Sequence, residues 1–269
     1  MDFTKQLATS YKRKGIQIQT IQKSVTYVKP IIELDKKKED VLLAGDGQSN
    51  PEEYKQINSS TGLAVNYYMI LNETGKIEDL TFEDKVAKPL KCKGGLKANI
   101  DVSYKREGKI IYVESKFLEP YYSENERLRE SYFNKEYYDV PDKDKEAWYN
   151  LLKDAQGYKY YNVSQLCRHL MAIWRKHKED STSIVLQSVT WAMPDAFIEE
   201  MENTKEKEEY RKRKGIIYEE ASKCQKRINE FLNQIGWKNM AFEVLQYNNM
   251  LEDISSLSYI EEFKKRYFL

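Results

Sequence analysis

The sequence is poor in the side chains that build most zinc and redox centres. Of 269 residues, 3 are cysteines and 2 are histidines, and Cys92, Cys167 and Cys224 stand far apart with no CxxC and no Cys/His cluster. That spacing provides neither a disulfide framework nor a zinc site, and it suits a reducing compartment. Long apolar runs are missing too. No stretch approaches the roughly 20 apolar residues of a membrane span, and the opening MDFTKQLATSYKRKG lacks the apolar centre of a signal peptide. The expectation is a soluble, cytoplasmic protein without membrane contact. Charge of one sign is lacking as well: 44 Lys and Arg meet 43 Asp and Glu, for a net charge of +1. The chain as a whole is therefore no general polyanion binder, and any nucleic-acid surface has to be local.

What the chain does have is charge and rings. Charged residues make up 32% and aromatic residues 13%, far too aromatic for a disordered polar segment, so the chain should fold. Its length suits one elaborated domain. The first fifty-odd residues read as a helical or irregular lead-in, with the charged run DKKKED (35–40) and the loop DGQSNP (46–51). Ser59 or Ser60 can cap a helix whose apolar positions Leu63, Tyr67 and Ile70 recur at helical steps. A short segment, 81–89, ends at Pro89. Lys85, Lys88, Lys91, Lys93 and Lys97 then lead through Gly94-Gly95 and form a candidate local basic surface.

Between Ala98 and Leu118 the period changes to two. Ile100, Val102 and Tyr104 alternate on one run, Ile111, Val113 and Phe117 on the next, with Glu107-Gly108 between them, which predicts a β-hairpin. Helical spacing runs from Asp144 to about Lys178, with a break near Gly157. A strand is expected at 183–193, stopped by Pro194, then a solvated, charge-alternating helix (195–214), a second helix (219–235) and a candidate last strand at AFEVLQY. The organisation this predicts is a lead-in (1–54), a core (55–194) and a C-terminal helical elaboration packed on it (195–269).

The chemistry lies in the hairpin. Glu114 and Lys116 are two residues apart on one strand and leave the same face. If Glu107-Gly108 is the centre of a tight turn, Arg106 stands opposite Lys109 and the same register sets Asp101 opposite Glu114, whereas a bulge would shift the pairing by one. Two carboxylates opposed across a hairpin repel, and a divalent cation between them resolves the conflict. Hard oxygen donors suit Mg2+ or Mn2+. Lys116 beside them would orient or help deprotonate an attacking water, or offset charge on a pentacovalent phosphorus. Two carboxyl groups this close also fit a retaining glycosidase, but the adjacent lysine favours a phosphate substrate.

NIDVSY followed by IIYVESKF resembles the D…(D/E)xK core of the PD-(D/E)XK nuclease superfamily, and NSSTGLAVNYY, FED and QLCRHL are similar to flanking segments of restriction-endonuclease-like members. The resemblance implies an α/β fold with a mixed central sheet flanked by helices and additional C-terminal helices. It implies Asp101 and Glu114 as metal ligands, Lys116 as the catalytic lysine, Glu83 as a further acidic ligand from a helix before the core, and Gln165 as a glutamine directed at the site. Gln156 with Tyr160 matches a competing QxxxY pattern. His169 lies one turn beyond Gln165 on the same face, and His177, amid Arg175, Lys176 and Lys178, is expected at the surface. No proline precedes Asp101, and Ser115 stands where apolar residues are common. The function implied is metal-dependent hydrolysis of phosphodiesters, by preference in DNA, with a homodimer suited to double-strand cleavage. The alternative is a non-catalytic nucleic-acid-binding or regulatory module that retains the fold.

Overall fold

The computed structural model describes residues 3–21, 24–27, 55–201 and 203–268, together with residues 29, 31, 32, 35 and 36. The loop DGQSNP and most of the run DKKKED lie outside the described residues. The lead-in contains α1 (Phe3–Arg13) and a two-stranded antiparallel sheet of β1 (Ile18–Ile21) and β2 (Ser24–Tyr27). Next comes α2 (Ser60–Glu73), whose N-cap is Ser59: its hydroxyl accepts from the Gly62 N–H at 3.0 Å. Every residue of α2 from Gly62 to Leu71 is buried, so this helix is enclosed on all sides and forms the centre of one layer.

The remaining strands and helices follow in chain order as β3 (Glu78–Lys85), β4 (Asn99–Arg106), β5 (Lys109–Lys116), α3 (Glu119–Tyr122), α4 (Lys145–Ala155), α5 (Val163–His177), β6 (Ile184–Thr190), α6 (Asp195–Glu199), α7 (Thr204–Ile235), β7 (Met240–Gln246) and α8 (Ile260–Tyr267). A single five-stranded sheet runs β3-β4-β5-β6-β7. Its first three strands are antiparallel neighbours, whereas β5, β6 and β7 are parallel. This is the mixed α/β sheet flanked by helices that the resemblance implies. Hairpin-linked strands need only a tight turn, while the parallel steps need long crossovers, supplied by α4 and α5 and then by α6 and α7. The sequence of β6, IVLQSVT, is buried at every position, as a central parallel strand with both faces covered requires.

The hairpin turn is the two-residue type expected. Glu107 has φ of 52° and Gly108 φ of 74°, the left-handed pair of a type I′ turn, which sets Arg106 against Lys109. The helical stretch from Asp144 to Lys178 is indeed broken at its glycine, ending α4 at Ala155 and restarting α5 at Val163.

Three expectations need correction. The segment around TFED is not a helix but the edge strand β3, because its paired neighbour β4 offers a full ladder of backbone partners. The charged C-terminal stretch is not two helices either: after the short α6, one helix of 32 residues spans 204–235. Gly215 is tolerated inside it because Ile217, Ala221, Cys224, Ile228, Phe231, Leu232 and Ile235 form a continuous buried stripe that outweighs the roughly 1 kcal/mol helix cost of one glycine. Finally, His177 is buried rather than superficial. Its Nε2 meets the Tyr112 hydroxyl at 2.9 Å and its Nδ1 meets Asp180 Oδ2 at 3.0 Å, partners that come from a strand and a turn and are invisible in local composition.

Candidate active site

Asp101 sits near the start of β4, and Glu114 and Lys116 near the end of β5. Both positions lie at the end of these interior strands opposite the hairpin turn. The β4–β5 ladder ends at Val102↔Val113, and one residue further on the Asp101 Oδ2 accepts the Ser115 N–H at 2.7 Å, which brings Asp101 next to Glu114. All three side chains share one sheet face, which α5 covers. The other face belongs to α2 and the C-terminal segment, where the Ser115 hydroxyl meets the Tyr247 hydroxyl at 2.7 Å. That bond explains how a polar residue stands at a position where apolar ones are common: it is buried but satisfied.

Glu114 is the hub. Its side chain is 2% exposed, with Oε2 at 2.7 Å from His169 Nε2 and Oε1 at 2.5 Å from Lys116 Nζ. Burial would raise its pKa, but Lys116 and His169 outweigh burial and hold it down to about 2. An ionised carboxylate only accepts, so the imidazole Nε2 is the donor. The other ring atom, Nδ1, is buried with no hydrogen-bond partner among the described residues.

Asp101 is driven the opposite way. Burial first and Glu114 second push its carboxyl well above the usual carboxylate range, with Glu83 adding to the rise, while Lys116 and the Ser115 N–H counter it. Lys116 is raised: burial works against its charge, but Glu114, Asp101 and Glu119 together prevail and keep the ammonium protonated. The two carboxylates thus differ in proton affinity around one lysine, a pattern found at functional sites and in structural ion-pair networks alike.

Glu83 falls on β3 between Phe82, paired with Val102, and Asp84, paired with Ile100, and therefore stands level with Asp101. Its φ of 53° is left-handed, a strained conformation for glutamate inside a strand. Its carboxylate accepts from Asn99 Nδ2. Among the described residues no three His, Cys, Asp or Glu side chains form a ready-made metal-binding group.

Gln165 is used at the start of its own helix. Its Oε1 accepts from Asn162 Nδ2 at 2.8 Å, and its N–H donates to Asn162 Oδ1 at 3.3 Å. Its hydrogen bonds among the described residues do not join it to Asp101, Glu114 or Lys116. Gln156 is likewise engaged at both ends, with the Leu128 N–H at 3.2 Å and the Ser164 hydroxyl at 3.1 Å. The helix residue that does reach the site is His169, one turn beyond Gln165 and 3% exposed.

Tyr161 and Ser188 went unnoticed in the sequence. Ser188 is the β6 partner of Glu114, and its hydroxyl accepts from the Tyr161 hydroxyl at 2.7 Å. Tyr161 is held there because Glu220 of α7 accepts three successive backbone N–H groups, from Lys159, Tyr160 and Tyr161, at 2.7 to 2.9 Å. Nothing local signals this arrangement, since it joins a loop, a long helix and a strand that meet only in the fold.

A family model described as a restriction endonuclease associating with ARP matches residues 48–268. That span contains the whole five-stranded sheet and the Asp101, Glu114 and Lys116 group. The chain belongs to this restriction-endonuclease family. Membership agrees with the mixed sheet flanked by helices. No curated protein and no solved structure matches this family member. None of its described helices is long and apolar enough to cross a membrane.

Proposed function

We propose that the chain is a metal-dependent nuclease that hydrolyses phosphodiester bonds in DNA, acting as an endonuclease from the face covered by α5. The observation that carries this reading is the convergence of Asp101, Glu114 and Lys116 on one face, with the first two perturbed in opposite directions. The donors fit a hard cation. Glu114 Oε1 is buried and makes no hydrogen bond apart from its ion pair with Lys116, and Asp101 carries a charge its surroundings oppose. Asp101 and Glu114 would hold Mg2+ or Mn2+, with water filling the other positions, as is usual for magnesium. When bound, the ion supplies Lewis-acid polarisation of the phosphate and a more acidic water.

The chain's own groups do the rest. Lys116 is held protonated, so its role is to neutralise charge gathering on the phosphoryl oxygens rather than to abstract a proton. His169 fixes the Glu114 carboxylate through Oε2 and leaves Oε1 directed at Lys116. The strained Glu83 backbone brings a third acid level with Asp101, where it supports positive charge at the site.

The test is incubation of supercoiled and linear DNA with Mg2+, Mn2+ or EDTA, using wild type, Asp101→Ala and Lys116→Ala. Metal-dependent nicking that both substitutions abolish supports the reading. Cutting that persists in EDTA, or in Asp101→Ala at the wild-type rate, rules it out.

A further inference from the structure

The loop between β3 and β4, residues 86–98, reads VAKPLKCKGGLKA: four lysines and no acidic residue. Its base is tightly held. The Val86 N–H donates to the Ala98 carbonyl at 3.0 Å and the Ala98 N–H to the Ala87 carbonyl at 2.7 Å, Arg175 of α5 donates to the carbonyls of Lys88 and Leu90 at 2.7 and 2.8 Å, and the Lys91 N–H donates to the Tyr137 carbonyl at 2.8 Å. Lys91 is also neutralised by Asp139 at 3.0 Å. Lys88, Lys93 and Lys97 are exposed and make no ion pair among the described residues.

At the tip, Gly94 turns the chain at φ of 81°, and Leu96 is 78% exposed, more than any other large apolar side chain among the described residues. A lone exposed leucine is ordinary. This one is distinguished by its setting: an acid-free lysine loop, braced at its base, that runs directly into β4 at the end of the sheet where Asp101, Glu114 and Lys116 lie.

We infer that this loop is a duplex-DNA grip, in which Lys88, Lys93 and Lys97 hold phosphates and Leu96 wedges into the minor groove to set the scissile bond over the hairpin acids. Lys93 and Lys97 are four residues apart, at most about 14 Å of chain, and Gly94 folds them back, a reach that straddles a minor groove about 6 Å wide. Apolar wedges flanked by cations are a recurrent way to unstack a base step and bend DNA toward a protein. The inference rests on the nuclease reading and names the substrate form and surface that reading leaves open.

The experiment measures binding of the full chain in EDTA to an end-labelled, mixed-sequence duplex containing 2-aminopurine, across a salt series, with Lys88→Ala/Lys93→Ala/Lys97→Ala and Leu96→Ala as variants. Loss of three phosphate contacts should flatten the slope of log affinity against log salt by about 2.7, at about 0.9 for each contact. Leu96→Ala should keep the slope and lose the 2-aminopurine fluorescence rise that reports unstacking. An unchanged slope in the triple variant, a full fluorescence rise in Leu96→Ala, or tighter wild-type binding to single strands than to duplex overturns the inference. Magnesium-dependent plasmid cleavage, run in parallel with Asp101→Ala, separates the two failures. Loop variants that bind and cut like wild type while Asp101→Ala is dead sink the grip alone, whereas wild-type cutting by Asp101→Ala sinks the catalytic reading.

Discussion

Replacing Asp101 by asparagine preserves the shape of the side chain and an oxygen able to accept the Ser115 N–H at 2.7 Å, but deletes a half-buried negative charge beside Glu114. The folded chain binds the Asp101 proton more tightly than the unfolded chain does. Below the unfolded value of 3.8 both states are protonated and the charge costs nothing. As pH rises through the window between 3.8 and the raised folded value, the unfolded state ionises freely, the folded state resists, and stability is lost.

Removing a negative charge that burial and Glu114 both oppose should stabilise the fold at pH 8 by about 1–2 kcal/mol, at the lower end of the gain seen when buried charges give way to neutral groups. For a chain of this size about 1 kcal/mol moves Tm by roughly 2–4 °C. Thermal unfolding in EDTA should therefore place Asp101→Asn roughly 2–8 °C above wild type at pH 8, and the gap should close toward pH 4. Magnesium should reverse the order, because saturation near a hundred times Kd adds about 2.7 kcal/mol to wild type alone. An Asp101→Asn variant no more stable than wild type at pH 8 in EDTA, or a gap that ignores pH, refutes the assignment of a strained acidic pair.

Glu114→Ala has the opposite sign. The depressed Glu114 contributes stability that is present above its unfolded value of 4.5 and lost as pH falls toward about 2, and its removal leaves Lys116 buried without its closest acid. Denaturant titration at pH 7 should show a loss of about 3–5 kcal/mol. His169→Ala should slow single-turnover cleavage about 10- to 100-fold and raise the magnesium requirement with little change in DNA affinity, and His169→Gln should recover part of the rate; equal damage from both substitutions would leave His169 a packing residue. Tyr112→Phe removes the hydroxyl that meets His177 at 2.9 Å and should cost about 1–3 kcal/mol of stability with cleavage intact, read by unfolding and plasmid assays side by side.

Where an outcome depended on neighbours in the chain, the residues alone sufficed. Period-two alternation from Ala98 to Leu118 and a Glu-Gly turn predicted the hairpin and left its register open by one residue, and the two-residue turn of the structure selects the pairing Arg106↔Lys109 over a bulged one. That register alone juxtaposed Asp101, Glu114 and Lys116. The Ser59 cap, the break near Gly157 and the strand after Ser183 were legible for the same reason: each is a local choice of dihedral or period.

Tertiary structure decided everything that depends on which elements stack. TFED carries no pattern that distinguishes a short helix from an edge strand until β4 lies beside it. The surroundings Arg175, Lys176 and Lys178 suggest a surface position for His177, yet Tyr112 and Asp180 bury it. Gln165 and His169 lie one turn apart on a helix face, and the sequence pattern favours Gln165. The seating of α5 on the sheet has Gln165 bonded to Asn162 at the cap and His169 at 2.7 Å from Glu114. A carboxylate's proton affinity is set by burial and by charges a few ångströms away, so the opposite displacements of Asp101 and Glu114 existed only once the chain had folded.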